Sequence, residues 1–247
     1  MSEKMCSVLA VETSTKACSA ALIHNAQAYS RFEELPQKHA HKILPMVESL
    51  LNEANLAAED IDLLSFGEGP GAFTGIRIAS GVIQGLALGL DKPVVPVSSL
   101  LAIAESHFQQ NDYSTETSMN WVVMLDARMN EVYFMVGHYN VADKRIESEE
   151  VLLLSPEIAQ SKITALLASS NVSVIGMGDI DNEYPQLIKN FKTWFPALPE
   201  ALSIARLALQ HEHNAKLLSE SLPTPVYLRN RVADTIEERK QKQQSKN

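Results

Sequence analysis

The residues best suited to chemistry sit in two short segments near the N-terminus. The first is Glu12-Thr13-Ser14-Thr15, an acid followed by three hydroxyls at the end of the apolar run 8–11. A carboxylate and hydroxyls at a strand end can hold a phosphate and its magnesium, and hydroxyls at that spacing can equally satisfy the donors of a tight turn. The second is Gly67-Glu68-Gly69-Pro70-Gly71-Ala72-Phe73-Thr74-Gly75, which joins a strand-like run to an amphipathic stretch. Free amides at a helix N-terminus suit an anion. The segment lacks the lysine of a phosphate-binding P-loop and does not form G-x-G-x-x-G in a dinucleotide context. A bound anion and a sterically demanded turn both stay open. His39/His41 and His211/His213 stand two apart, whereas helix-borne metal ligands share a face at i, i+4, so no metal site is expected. No G-x-S-x-G elbow, H-E-x-x-H or C-x-x-C occurs, so the sequence offers neither a hydrolase nucleophile nor a thiolate zinc site. Asp126-Ala127-Arg128 closes another strand-like run and reads as an internal ion pair or a ligand contact.

The glycines carry a second signal. Seven of the ten lie between Gly67 and Gly89, and three of these, Gly81, Gly85 and Gly89, are spaced four apart inside a helical pattern. Each costs about 1 kcal/mol relative to alanine in a helix interior. Spacing of four puts them on one face, opposite the apolar stripe Ile76, Ala79, Ile83, Leu86 and Leu90 that serves the core. A bare face lets another helix approach closely enough to offset the cost. That helix is the preceding one of this chain, one from another subunit, or both sharing the face.

These residues need a scaffold. Runs 8–11, 17–23 and 26–32 read as three strands joined by tight turns. A helix follows over 41–55, with Ile43, Leu44, Val47, Leu50, Leu51 and Ala54 at helical spacing. A strand over 60–66, a helix over 73–90, a strand over 94–97 and a helix capped by Ser98-Ser99 complete the order βββαβαβα. Later strands need helical crossovers, while the first three can lie antiparallel. This is the order of a ribonuclease-H-like module, half of an actin-type architecture. After a polar linker over 111–119 the pattern restarts, with strands over 120–125, 131–139 and 146–154. A helix over 156–168 behind Ser155, a strand over 172–176 and a long helix over 201–218 follow. Glu12 and Asp126 end the first strand of each half, consistent with internal duplication. The expected fold is α/β, actin-like (ASKHA), with duplicated ribonuclease-H-like domains, the second less regular. The expected domains are 1–108, 109–227 and a basic tail, 228–247. In that frame Glu12, Thr13, Ser14 and Thr15 occupy the phosphate loop, but glutamate stands where aspartate is usual and Thr13 would crowd a phosphate. The loop reads as vestigial.

Composition narrows the field. Among 247 residues, 21 Lys and Arg face 30 Asp and Glu, a formal charge of −9. Phosphate-backbone affinity comes mainly from basic side chains, so direct nucleic-acid binding is disfavoured. Cys6 is expected opposite Ile23 and Cys18 opposite Val11, too far apart for a disulfide. Met1-Ser2-Glu3-Lys4 lacks the apolar core of a signal peptide. No run of about 18 apolar residues is apparent, so no membrane span and a cytoplasmic location are expected.

Leu9-Ala10-Val11-Glu12-Thr13-Ser14-Thr15 with Cys18-Ser19-Ala20-Ala21-Leu22 resembles the opening of the TsaB (YeaZ) family. Gly69-Pro70-Gly71-Ala72-Phe73-Thr74-Gly75-Ile76-Arg77-Ile78 resembles its most specific segment. Residues 93–100, Asp126-Ala127-Arg128-Met129-Asn130-Glu131-Val132-Tyr133 and Pro225-Val226-Tyr227-Leu228-Arg229 match as well. The resemblance implies a two-domain actin-like subunit of the machinery that makes threonylcarbamoyladenosine in tRNA. It implies a non-catalytic role: pairing with and activating TsaD, whose H-x-x-x-H metal motif is absent here. TsaE would join the complex, TsaC would supply the threonylcarbamoyl-adenylate, and the chain alone would form a homodimer through much the same surface. Helices 41–55 and 73–90 would build that surface, with Leu44, Glu48, Thr74, Ile78, Gly81, Val82, Gly85 and Gly89 as its contacts. No cofactor is expected, a nucleotide being conceivable only at the complex interface, and tRNA is met only indirectly. The competing expectation is an actin-fold ATPase or phosphotransferase using the Glu12 loop. A peptidase would need a nucleophile or metal that the sequence does not supply.

Overall fold

The computed structural model describes residues 6–34 and 37–229. The first apolar run folds as β1 (Val8–Glu12), buried at every position because it is the central strand of a sheet covered on both sides. β2 (Ala17–His24) and β3 (Gln27–Glu34) extend the sheet antiparallel through short turns. β4 (Leu63–Gly69) and β5 (Val94–Ser98) join in parallel, each reached through a helical crossover, α1 (His39–Ala54) and α2 (Phe73–Leu90). The strand order is β3-β2-β1-β4-β5. Left-handed Asn55 and Asp91 end the two helices. α3 (Ser99–Gln110) begins as expected, with Ser98 Oγ accepting the Leu101 N–H at 3.4 Å.

The second half repeats the plan. β6 (Ser118–Arg128) takes the central place of β1, with β7 (Glu131–Asn140) antiparallel beside it and β8 (Arg145–Ser148) antiparallel beside β7. The stretch expected as one strand over 146–154 splits into β8 and β9 (Leu152–Leu154), both paired to β7. After α4 (Pro156–Ser169), β10 (Val174–Gly178) lies parallel to β6; after the single turn α5 (Pro185–Ile188), β11 (Trp194–Pro196) lies parallel to β10. The order β11-β10-β6-β7-β8 mirrors the first sheet. The chain thus has the duplicated ribonuclease-H-like, actin-like α/β fold, less regular in its second copy.

Packing assigns the faces. α1 and α2 cover one side of the first sheet, with Ile43, Val47, Leu50, Ala79 and Ile83 buried against Leu9, Val11, Leu64 and Phe66. Burying a side chain of this size contributes about 1.5–3 kcal/mol. The other side, Val8, Ala10, Ala21 and Val95, is equally apolar. It is covered by α6 (Ala201–Gln210) through Ile204, Ala205 and Ala208. The chain therefore returns after the second sheet to roof the first, whereas the sequence placed 109–227 together in the second domain. The reason is supply: α1 and α2 share one face, and α3 leads away to Trp121, Val123 and Leu125 of β6. The helix expected over 201–218 stops at Gln210. A 3-10 turn (Glu212–Asn214) follows, and Lys216 pairs with Val94 at the edge of β5.

Two smaller expectations, the β1–β2 register and the apolar length of α2, change. The β1–β2 connection is four residues long, so Val8 faces Ile23 and Val11 faces Ala20, two residues from the expected register. Neither Cys6 nor Cys18 forms a disulfide, and Cys18 Sγ lies 4.0 Å from Met46 Sδ. By length and composition α2 is long and apolar enough to cross a membrane; its Ile76, Ala79, Ile83 and Ala87 are spent inside this fold. Residues 1–4 and the basic tail beyond Arg229 lie outside the described residues.

Candidate functional site

The two segments that could hold phosphate meet each other. Glu12 is buried: one carboxylate oxygen accepts the Ser14 N–H and the other accepts the Ser99 hydroxyl at 2.6 Å. Burial pushes its carboxyl above the usual range, opposed by the Ser99 and Ser14 hydrogen bonds. Thr13 Oγ1 donates to the Gly75 carbonyl at 2.8 Å, and the Ala72 N–H donates to the Ser14 carbonyl at 2.7 Å. A Cβ at Gly67 would collide with the Glu12 carboxylate, one at Gly71 with Ser14 and one at Gly75 with the Thr13 carbonyl. Close approach of backbone to backbone is what the glycines of this loop allow. Thr13 and Ser14 are wholly buried in the contact, and Thr15 Oγ1 accepts the Ala17 N–H at 3.2 Å. The Thr13 hydroxyl and the Ser14 and Ala72 amides are engaged within the chain, while the buried Ser14 hydroxyl has no partner among the described residues.

The helix glycines behave differently. A Cβ at Gly81, Gly85 or Gly89 would meet nothing within 4 Å. The preceding helix of this chain is therefore not their neighbour, which removes one of the two expected occupants. Thr74 is exposed beside them and Ile78 and Val82 are half-buried; Leu88 on the same helix is 78% exposed. On α1, Leu44 is 50% exposed and Glu48 lies outside, both on a groove of about 470 Å³ shared with Val47, Leu51 and Leu56. All eight expected contact residues reach the surface.

At one end of this face Arg77 lies over the Phe73 ring, 3.8 Å from its centroid, and its Nε donates to Tyr227 Oη at 2.9 Å. Tyr227 belongs to an extended segment running beside α2. The Val226 N–H donates to the Glu68 carbonyl at 2.8 Å, and Gln84 Nε2 donates to the Pro223 carbonyl at 2.7 Å. Arg229 then reaches the β6–β7 turn, donating to the Arg128 carbonyl at 3.2 Å and pairing with Glu131. The sequence marked this segment only through resemblance, since no local pattern joins residue 77 to 227.

A cleft of about 550 Å³, lined from both sheets, escaped the sequence reading altogether. Its carboxylates come from β3, β6 and the loops after β10 and β11. Asp126 and Arg128 form the expected ion pair at 2.8 Å. Asp179 Oδ1 accepts the Asp126 N–H at 3.0 Å, and burial, with help from the Asp126 charge, raises its carboxyl to about 6. His107 lies against Phe195, ring centroids 4.2 Å apart and planes tilted by 52°, and burial lowers its imidazole to about 4. Among the described residues no group of three or more His, Cys, Asp or Glu is placed to hold a metal ion.

Comparison with known proteins adds independent findings. The family model of TsaD, tRNA N6-adenosine threonylcarbamoyltransferase, matches residues 33–153. The tRNA threonylcarbamoyladenosine biosynthesis protein TsaB of Escherichia coli is 34% identical over 92% of this chain and 96% of its own length. That of Haemophilus influenzae is 38% identical over 91% and 94%. The crystal structure of YeaZ from Pseudomonas aeruginosa superposes with a TM-score of 0.72 at 34% identity, over 91% of this chain and 100% of that one. A second Pseudomonas aeruginosa structure, of a protein similar to the peptidase YeaZ, gives 0.75 at 33% identity, with the same coverage of both chains.

Proposed function

The chain belongs to the TsaB (YeaZ) family, and from that premise we propose that it serves tRNA threonylcarbamoyladenosine biosynthesis as a non-catalytic subunit that binds and activates TsaD. The observation that carries this is the solvent-facing glycine row of α2. Three glycines in this helix cost up to about 3 kcal/mol in all, and no packing among the described residues repays them. A second helix laid along Gly81, Gly85 and Gly89, with Leu44 and the α1 groove beside it, would recover that cost through close backbone approach. The contact would be a four-helix one, α1 and α2 against their counterparts in TsaD, and the same surface would serve a homodimer when TsaD is absent. TsaE would join this complex and TsaC would supply its substrate. tRNA would be met through the partner, in keeping with the chain's acidic charge, and the assembly would work in the cytoplasm.

The contact between residues 13–14 and 71–75 favours this reading over an ATPase or phosphotransferase, because it buries Thr13 and Ser14 and engages the Thr13 hydroxyl and the Ala72 amide within the chain. The test is Gly85→Leu. The substituted side chain has room in the monomer, so circular dichroism, and thermal unfolding at a concentration where the chain is monomeric, should stay close to wild type. Co-purification with TsaD should fall at least about tenfold, about 1.4 kcal/mol. Undiminished TsaD binding by a folded Gly85→Leu chain refutes the proposal. ATP hydrolysis by the isolated chain, abolished by Glu12→Ala, would establish the competing enzyme.

A further inference from the structure

Residues 223–229 run from one half of the molecule to the other without forming a helix or a strand. At one end they lie on α2. The Pro223 carbonyl accepts Gln84 Nε2 at 2.7 Å, and Tyr227 Oη accepts Arg77 Nε at 2.9 Å. The Phe73 and Tyr227 rings are 5.7 Å apart, with the Arg77 guanidinium over Phe73. Phe73 is 38% and Tyr227 44% exposed, so this end is open to a partner laid on α2. At the other end Leu228 packs on the second core, with Trp121, Leu125 and Tyr133. Arg229 then closes on the β6–β7 turn through three groups: the Arg128 carbonyl at 3.2 Å, Met129 Sδ at 3.1 Å and the Glu131 carboxylate.

The turn it grips is strained. Arg128 pairs with Glu131 across it, and Arg128, Met129 and Asn130 stand at φ of 61°, 57° and 58°. A two-residue hairpin loop of this kind demands positive φ at both central positions. Asparagine accommodates that region, whereas arginine and methionine are disfavoured there. Such a conformation persists only where surrounding contacts hold it. Asp126 holds it from within the hairpin, accepting the Arg128 N–H at 2.8 Å, and Arg229 holds it from outside. The turn also borders the cleft between the sheets, which Asp126 and Arg128 line. Tyr227 and Arg229 are two residues apart, no more than about 7 Å along the chain. Whatever fixes or frees Tyr227 on α2 is therefore felt by the Arg229 guanidinium. A partner that binds Tyr227 best where it now stands favours the gripped turn over a relaxed one.

We propose that residues 223–229 are a strap that couples the α2 face to the β6–β7 turn at the rim of the cleft. Contact at Phe73 and Tyr227 tightens the Arg229 grip, and loss of the grip lets the turn relax. The tightening rests on the TsaD contact proposed above; the strap itself rests on this chain's own contacts.

Amide hydrogen exchange read by mass spectrometry, on the full chain at a concentration where it is monomeric, tests both parts. Arg229→Ala should speed exchange of the peptide over 127–133 at least about fivefold. Tyr227→Ala should speed it at least about threefold, although the tyrosine lies on α2. Wild-type exchange in β10 shows that a variant has kept its fold. Tyr227→Phe, which removes only the hydroxyl, takes the place of Tyr227→Ala if that variant fails this control, with the same direction expected. Bound TsaD should slow the turn peptide at least about threefold in wild type and leave it unchanged in Arg229→Ala. A turn indifferent to Tyr227, unmoved by bound TsaD, or slowed equally without Arg229 overturns the proposal. A chain that does not bind TsaD at all refutes the proposed function and the tightening with it, while the Tyr227 result still decides whether the strap joins α2 to the turn.

Discussion

At the scale of single residues, glycine serves two opposite purposes within 23 positions. Gly67, Gly71 and Gly75 are there because a neighbour is too close, and a Cβ at Gly81, Gly85 or Gly89 would meet no described residue within 4 Å. Alanine substitution should separate them. Gly71→Ala presses a methyl into Ser14 and should destabilise the fold by about 1–3 kcal/mol. Gly81→Ala should stabilise the isolated chain by up to about 1 kcal/mol. Urea midpoints at constant slope, taken at a chain concentration low enough for light scattering to show the monomer, measure both, and a destabilised Gly81→Ala monomer would refute the open-face description. Asp179 gives a pH-dependent counterpart. Its carboxyl titrates near 6 in the fold against an ordinary 3.8. Between those values the folded state holds the proton more tightly than the unfolded one, so stability falls as pH rises through that window. Asp179→Asn keeps an acceptor for the Asp126 N–H without the charge. Its thermal midpoint should exceed wild type at pH 8, by about 1 kcal/mol in stability, and the gap should close by pH 4.

At the scale of elements, α6 shows how a long-range contact is pinned. It is the roof of the first sheet, and its first N–H, on Ala201, donates to Ser19 Oγ on β2 at 2.9 Å. Helix N-termini need such acceptors when buried. Ser19→Ala should leave that amide unpaired at a cost of about 1–3 kcal/mol, read as a lower denaturation midpoint. Hydrogen exchange should quicken in α6 before it does in α1. Equal protection of α6 in the two proteins would refute this account. α2 shows the reverse, an element with one face committed and one left over. Its core stripe fixes it on the sheet, the segment bearing Tyr227 and Pro223 covers one flank, and the glycine row remains outside.

At the scale of the whole molecule, the proposed function would have one surface serve two mutually exclusive partners. The chain alone should behave as a dimer in size-exclusion chromatography with light scattering. Added TsaD should replace that dimer with a heterodimer rather than bind on top of it. Gly85→Leu should weaken both assemblies together. A complex in which the homodimer persists with TsaD attached elsewhere would separate the two surfaces and contradict the proposed contact.

Local pattern determined much of this protein. Alternation and apolar runs located most of the strands, serine caps started α3 and α4 where expected, and repetition of the strand series foretold two sheets of the same order. Glycine density likewise marked the segment from Gly67 to Gly89, because the cost of a missing side chain is local and so is its signature. The tertiary structure alone decided which glycines face a neighbour, where the chain after 200 goes, and that carboxylates near 34, 126, 180 and 200 converge on one cleft. Those outcomes depend on contacts between residues far apart in the chain. No spacing rule links them, because the chain between them is free to place them anywhere until the sheets have formed.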